Sequence, residues 1–150
     1  MISYEINCDT LALIPVSEKE TKIIERNNIF NVNNSVMNII ENSCEYFGSS
    51  YLGRHEGTKK LIGITHKAPI IIEESKNLIY FPTTSPRLEK CIWIALNNIK
   101  TYERKNGKTE LQFINNQKLR LDISFGSLDN QVLRATKLES VLRKRINTTE

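Results

Sequence analysis

IKTYERKNGKTELQFINNQKLRLDI, residues 99–123, decides the fold class. Two β-rich runs, at about 99–104 and 109–114, flank Asn106-Gly107, a dipeptide that accepts the positive φ angles of tight turns between antiparallel strands. A third run at 119–123 extends the pair into a meander, with Arg104, Lys118 and Arg120 at outward positions. Strands joined by short turns and followed by one long helical pattern place the chain in the α+β class. The expected architecture is antiparallel β-sheets and hairpins with a central helical segment and a C-terminal amphipathic helix.

That last helix is the clearest periodic element. Leu128, Val132, Ala135, Leu138, Leu142 and Ile146 recur at steps of three and four, so they share one face. Ser127 is the expected N-cap, Asp129 suits the start of the helix dipole, and Arg143, Lys144 and Arg145 suit its end. The stripe must be covered. Docking on the chain's own sheet is the expectation and a subunit interface the alternative.

Upstream, residues 69–73 and 78–81 read as a hairpin around Glu74-Ser75-Lys76-Asn77, and Pro82-Thr83-Thr84-Ser85-Pro86 breaks regular structure before a strand at 91–96. Trp93, among apolar neighbours, is expected in the core rather than as a ligand platform. At the N-terminus, residues 2–7 alternate like a strand, 11–16 form an apolar run stopped near Pro15, and 23–32 give two short strands broken at Asn27-Asn28. These are expected to make a small antiparallel sheet. Between the two regions, Val36, Ile39, Ile40, Cys44 and Phe47 mark a helix over 34–46, with Asn34 or Ser35 as N-cap and Gly48 as the stop. Ser50 can cap a second helix running to about Ile62, with Arg54, Lys59 and Lys60 on its exposed face. Gly53 and Gly57 each cost that helix about 1 kcal/mol against Ala.

The second helix lies in FGSSYLGRHEGTKKLIGITHKAP, residues 47–69, which holds four glycines and six cation-capable side chains: Arg54, His55, Lys59, Lys60, His66 and Lys67. Ser49, Ser50 and Tyr51 add short polar contacts beside glycines that allow close backbone approach. The formal charge of +4 is uneven: residues 1–50 carry three Lys/Arg against seven Asp/Glu, and residues 51–150 carry the whole excess. Such asymmetry points to an anionic polymer as partner. At 150 residues and 39% hydrophobic, the chain suits one domain over 1–150, an acidic first third followed by a basic remainder.

Three separated cysteines, Cys8, Cys44 and Cys91, argue against a disulfide framework and for buried or partly buried thiols in a reducing compartment. With no leader-like start and no run of ~20 apolar residues, a cytoplasmic protein is expected. A metal site from Cys44, Cys91, His55 and His66 lacks any close-spaced pair to nucleate it, and no cofactor is expected. A hydrolase built from Ser49 or Ser50 with His66 and Glu73 has no nucleophile elbow. Gly53-x-x-x-Gly57-Thr58-Lys59 lacks the phosphate-loop order, with Thr preceding Lys.

FGSSYLGR, THKAPIIIE, IYFPTTSPR and CIWIALN occur in this order in the ComK family of competence transcription factors, which the chain resembles. SYEIN with TLALIP, TKIIERNNIFNVN and FGSLDNQVLRATKLESVLRKRI carry the likeness over nearly the whole length. The resemblance implies a sequence-specific activator of competence (DNA-uptake) genes. It implies recognition of paired A-rich and T-rich boxes largely through the minor groove, action as an oligomer (a dimer or higher), and association with the nucleoid through DNA. It further implies a proteolysis adaptor acting on a tail that longer relatives carry. This sequence ends at Ile146-Asn147-Thr148-Thr149-Glu150, which speaks against that partner.

Narrow A/T-rich minor grooves concentrate negative potential and attract Arg, Lys and His. Arg54, after the glycine-rich segment, and Arg87, after Thr84-Ser85-Pro86, are the candidates for groove insertion from projecting loops. Lys59, Lys60 and Lys67 suit phosphates, and Ser49, Ser50, Tyr51, His66, Lys118 and Arg120 complete the candidate DNA-binding set. No helix-turn-helix, zinc-finger or basic-zipper pattern is present to dictate which element enters the groove. The competing reading is a relative that acts mainly through protein contacts, with little sequence-specific DNA binding.

Overall fold

The computed structural model of the chain describes residues 3–148. Its centre is a six-stranded antiparallel sheet built from β1 (Thr10–Ser17), β2 (Glu20–Glu25), β3 (Ile29–Val32), β4 (Ile70–Glu73), β5 (Leu78–Pro82) and β6 (Trp93–Ala95), in the order β3-β2-β1-β6-β5-β4. The two halves of the sheet are each hairpin-linked, and they join where Ala12 and Leu13 of β1 face Ile94 and Trp93 of β6. Both faces are buried, which explains why the strands read as near-continuous apolar runs.

Alternate side chains serve opposite layers. Leu13, Ile23, Ile70, Ile72, Tyr80 and Trp93 pack with Val36, Ile39, Ile40 and Cys44 of helix α1 (Val36–Tyr46). Ala12, Ile24, Ile71, Ile79, Phe81 and Ile94 pack on the other face against helix α3 (Phe125–Asn147) and a three-stranded sheet, β7 (Ile99–Lys105), β8 (Lys108–Phe113) and β9 (Lys118–Leu121). The α+β reading holds, and so does the meander: Asn106 and Gly107 adopt φ of 52° and 76° in the β7–β8 turn. Trp93 is fully buried. The α3 stripe docks on the chain's own sheets through Leu128, Ala135, Leu138 and Leu142.

Local expectations shift in four places. Residues 3–7 form no strand, and Ile2 lies outside the described residues. Their alternation instead marks two inward side chains on a segment pinned by side-chain bonds. The Ile6 N–H donates to Ser43 Oγ (2.9 Å) and the Tyr4 hydroxyl to Glu25 (2.5 Å). Second, β1 runs through Pro15, beyond the part that β6 flanks, where a missing N–H is tolerated. Third, the α3 cap is Ser124, whose Oγ accepts from the Ser127 N–H (3.1 Å). The first turn thus gains Phe125, packed on Tyr102 and beneath Arg104. Fourth, Cys8 is exposed, whereas Cys44 and Cys91 are buried. Burial pushes the Cys44 thiol up to about 11, more than nearby Arg54 lowers it.

Burial also raises the phenols of Tyr80 and Tyr4 well above their ordinary value near 10, and Glu25 beside Tyr4 raises it further. These groups keep their protons in the fold at a pH where the unfolded chain has lost them. Their contribution is therefore complete below the unfolded values and is lost as pH rises past them. Buried Cys44 and Cys91, also raised by desolvation, begin the loss earlier, so urea midpoints are expected to hold from pH 7 to about 8, to decline as unfolded thiols ionise, and to fall steeply above about 10. A midpoint unchanged through pH 11 would contradict this.

Candidate nucleic-acid interface

Helix α2 (Tyr51–Ile62) stands at the β4 edge of the large sheet, in contact with α1 and α3. Gly48, at φ 87°, turns the chain out of α1, and its N–H donates to the Glu45 carbonyl. As expected, Ser50 caps α2: its Oγ accepts from Gly53 N–H at 2.9 Å, while Tyr51 N–H donates to Glu41 Oε2 at 3.1 Å. Thr58, fully buried, donates its hydroxyl to the Pro69 carbonyl at 2.6 Å and ties the helix to the start of β4. Gly63, at φ 73°, ends the helix and sends the chain back along it.

The returning segment, residues 65–68, is clamped from two helices. His55 Nε2 lies 2.9 Å from the Thr65 carbonyl on one side. On the other, Arg134 Nη1 donates to the His66 carbonyl at 3.0 Å, and buried Gln131 donates from Nε2 to the carbonyls of Lys67 (2.9 Å) and Pro82 (2.8 Å). Lys67 itself sits at φ 50°, a conformation that side chains rarely adopt and that these bonds hold in place. Gln131 therefore spaces this loop from the chain leaving β5.

Between them lies a groove of about 570 Å³. Tyr51 and His55 of α2 form one wall, Thr65, His66 and Lys67 the second, Ser85, Pro86 and Arg87 the third, and Met37 closes an end. Tyr51 is braced by Trp93 beneath it, with ring centroids 6.4 Å apart at 84°. Of the candidate residues, Tyr51, His66, Lys67 and Arg87 converge here. Ser49 and Ser50 stand at the head of α2, and Lys59 and Lys60 are exposed on its last turn without lining the groove.

Three candidates sit elsewhere or differently. Arg54 belongs to the first turn of α2 rather than to a projecting loop. Its side chain is 18% exposed and paired to Glu74 at 3.0 Å, and its Nε is buried with no acceptor among the described residues. Lys118 and Arg120 lie on β9, in the layer beyond the large sheet; Lys118 faces Glu110 across the strands at 3.9 Å. His55, absent from the candidate set, belongs in the groove, and its spacing of one turn from Tyr51 was the available signal. Gln131 and Arg134 gave none, because the loop they hold lies more than 60 residues away in sequence. Among the described residues no cluster of three or more His, Cys, Asp or Glu could hold a metal ion, and no helix is long and apolar enough to cross a membrane.

The glycines of α2 differ in their surroundings. A Cβ at Gly53 would meet the hydroxyls of Ser50 and Ser49 at 3.1 and 3.3 Å, whereas one at Gly57 would meet nothing within 4 Å. Gly57→Ala is expected to raise unfolding stability by about 0.5–1 kcal/mol. Urea unfolding checks this, and no gain would mean that the helix does not benefit from a side chain there.

Residues 1–147 match the family described as ComK protein. The competence transcription factor of Bacillus subtilis (strain 168) is 38% identical over 149 residues, covering 97% of this chain and 78% of that protein. No solved structure matches the chain.

Proposed function

The chain belongs to the ComK family of transcription regulators, and from that premise we propose that it activates competence genes by binding A/T-rich promoter DNA as an oligomer, mainly through the minor groove. The observation that carries the reading is the convergence of His55, His66, Lys67 and Arg87 on one preorganised groove. The backbone bonds to the carbonyls of His66 and Lys67 fix the path of the groove wall before any ligand arrives, so less ordering of that loop is charged against binding.

Within this reading Arg87, exposed at the end of a proline-framed loop, enters the minor groove, while Lys67, Lys59 and Lys60 meet phosphates. Arg54 takes a supporting role, because insertion would cost its pair with Glu74. Lys118 and Arg120 add to the field of the molecule from another face. The whole of 1–150 acts as one DNA-binding domain, in the cytoplasm at the nucleoid.

Fluorescence anisotropy with a duplex carrying A-tract and T-tract boxes, against a G/C-substituted duplex, tests the proposal over a salt series with a minor-groove drug as competitor. Tight, salt-sensitive, drug-competed preference for the A/T duplex is expected. Equal weak binding to both duplexes would overturn it and favour the reading in which protein contacts dominate.

A further inference from the structure

Helix α3 sorts its charges by side. Its two carboxylates turn to the body of the protein: Asp129 accepts from the Tyr102 hydroxyl at 2.7 Å, and Glu139 accepts from Asn77 Nδ2 in the β4–β5 turn. The cations turn elsewhere. Counted from Arg134, steps of three, ten and eleven residues return Lys137, Lys144 and Arg145 to one sector of the helix, about 100° wide, so the four form a stripe along it. Lys137, Lys144 and Arg145 are exposed, and none of the three is ion-paired among the described residues.

The stripe begins at the groove. Arg134 is the residue that holds the His66 carbonyl, and His66 lines the groove. Leu61 and Ile62 of α2 pack in the same apolar cluster as Leu138 and Leu142, which sets the last turn of α2, with Lys59 and Lys60, beside α3. A solvated helix face usually mixes its signs or pairs each cation with an acid one turn away. This stripe carries one sign only and rises about 16 Å from Arg134 to Arg145. That is the length of about five base pairs, so it fits a rod of evenly spaced anions better than a compact ligand.

We propose that the α3 stripe holds the phosphates of the duplex beyond the segment that the groove reads. Arg134, kept on the His66 carbonyl, fixes where the stripe starts, and Lys137, Lys144 and Arg145 each meet a phosphate. Such contacts are blind to base identity, so they lengthen the site without adding to its sequence preference. The inference rests on the DNA binding proposed above and names where the duplex continues from the groove.

Fluorescence anisotropy with two duplexes over a salt series tests it. One duplex ends at the A-tract and T-tract boxes, and the other adds about five base pairs of G/C sequence at each end. The wild type is expected to bind the extended duplex roughly tenfold more tightly, with a salt slope steeper by about two to three units. The triple variant Lys137→Gln, Lys144→Gln, Arg145→Gln is expected to bind both duplexes alike. Lys19→Gln, Lys105→Gln and Lys108→Gln together remove the same charge from other faces and are expected to keep the gain. Lys137→Gln alone, distant from the helix end whose dipole Lys144 and Arg145 complement, is expected to lose about one unit of slope with unchanged circular dichroism. A wild type indifferent to the extension, a stripe variant that keeps the gain, or a control that loses it equally would overturn the proposal. An A/T preference without any gain on extension would sink the stripe and leave the groove reading standing. A gain that the stripe variant abolishes, without any A/T preference, would do the reverse.

Discussion

Gln131→Met is expected to lower unfolding stability by about 2–4 kcal/mol, because it leaves the carbonyls of Lys67 and Pro82 without their buried donor. Methionine nearly matches the length of glutamine and keeps the site filled, so the loss reports hydrogen bonds rather than a cavity. For a chain of this size the melting temperature should fall by roughly 5–10 °C. The more informative readout is DNA affinity at a temperature where the variant remains fully folded. Gln131 touches none of the groove's open surface, yet it sets the spacing between two of its walls, so affinity for the A/T duplex should fall there as well. A variant that is less stable but binds normally when folded would show that the clamp stabilises the fold without shaping the site.

Arg87→Ala is expected to cut affinity for the A/T duplex by roughly 10- to 100-fold, the worth of one well-placed groove contact, and to leave G/C affinity much less changed. Stability should barely move, since the side chain is exposed and its backbone N–H makes only a long bond to Ser85 Oγ, at 3.4 Å. Lys59→Ala is the paired control. A phosphate contact there would weaken both duplexes alike and flatten the salt slope by about one unit. If Arg87→Ala lowers both duplexes by the same factor, Arg87 is a phosphate contact and groove reading lies elsewhere.

The elements could be read in advance because their signals are local. Asn106-Gly107 signalled a turn, Asn34 or Ser35 and then Ser50 signalled helix starts, and the α3 stripe had to be covered, by the chain's own sheet or by a second subunit. Residues 3–7 misled because extended backbone with alternating burial looks the same whether strand ladders or side chains hold it. The site was half legible. Cations near glycines announced a surface, and four of the chosen residues do meet in the groove. What decides the groove's shape is distant in sequence: Gln131 and Arg134 reach across from the last helix, and Glu74 captures Arg54 from a hairpin turn. Lys118 and Arg120 lie in another layer from the groove, a separation their charge gave no sign of.

The order of the large sheet has a kinetic consequence. Strands β1 to β3 and β4 to β6 form two local ribbons, each made from neighbouring turns, but the seam between them pairs Leu13 with Trp93. Closing so long a stretch of chain before the seam repays it makes folding slow, on the millisecond-to-second scale of domains rich in distant pairings. During synthesis the first ribbon emerges with the flank of β1 bare and must wait for β6 to leave the ribosome. Until then that edge is open to pairing with other chains. Translation speed through residues 93–95 and chaperone cover of β1 would then govern how much active protein a cell obtains.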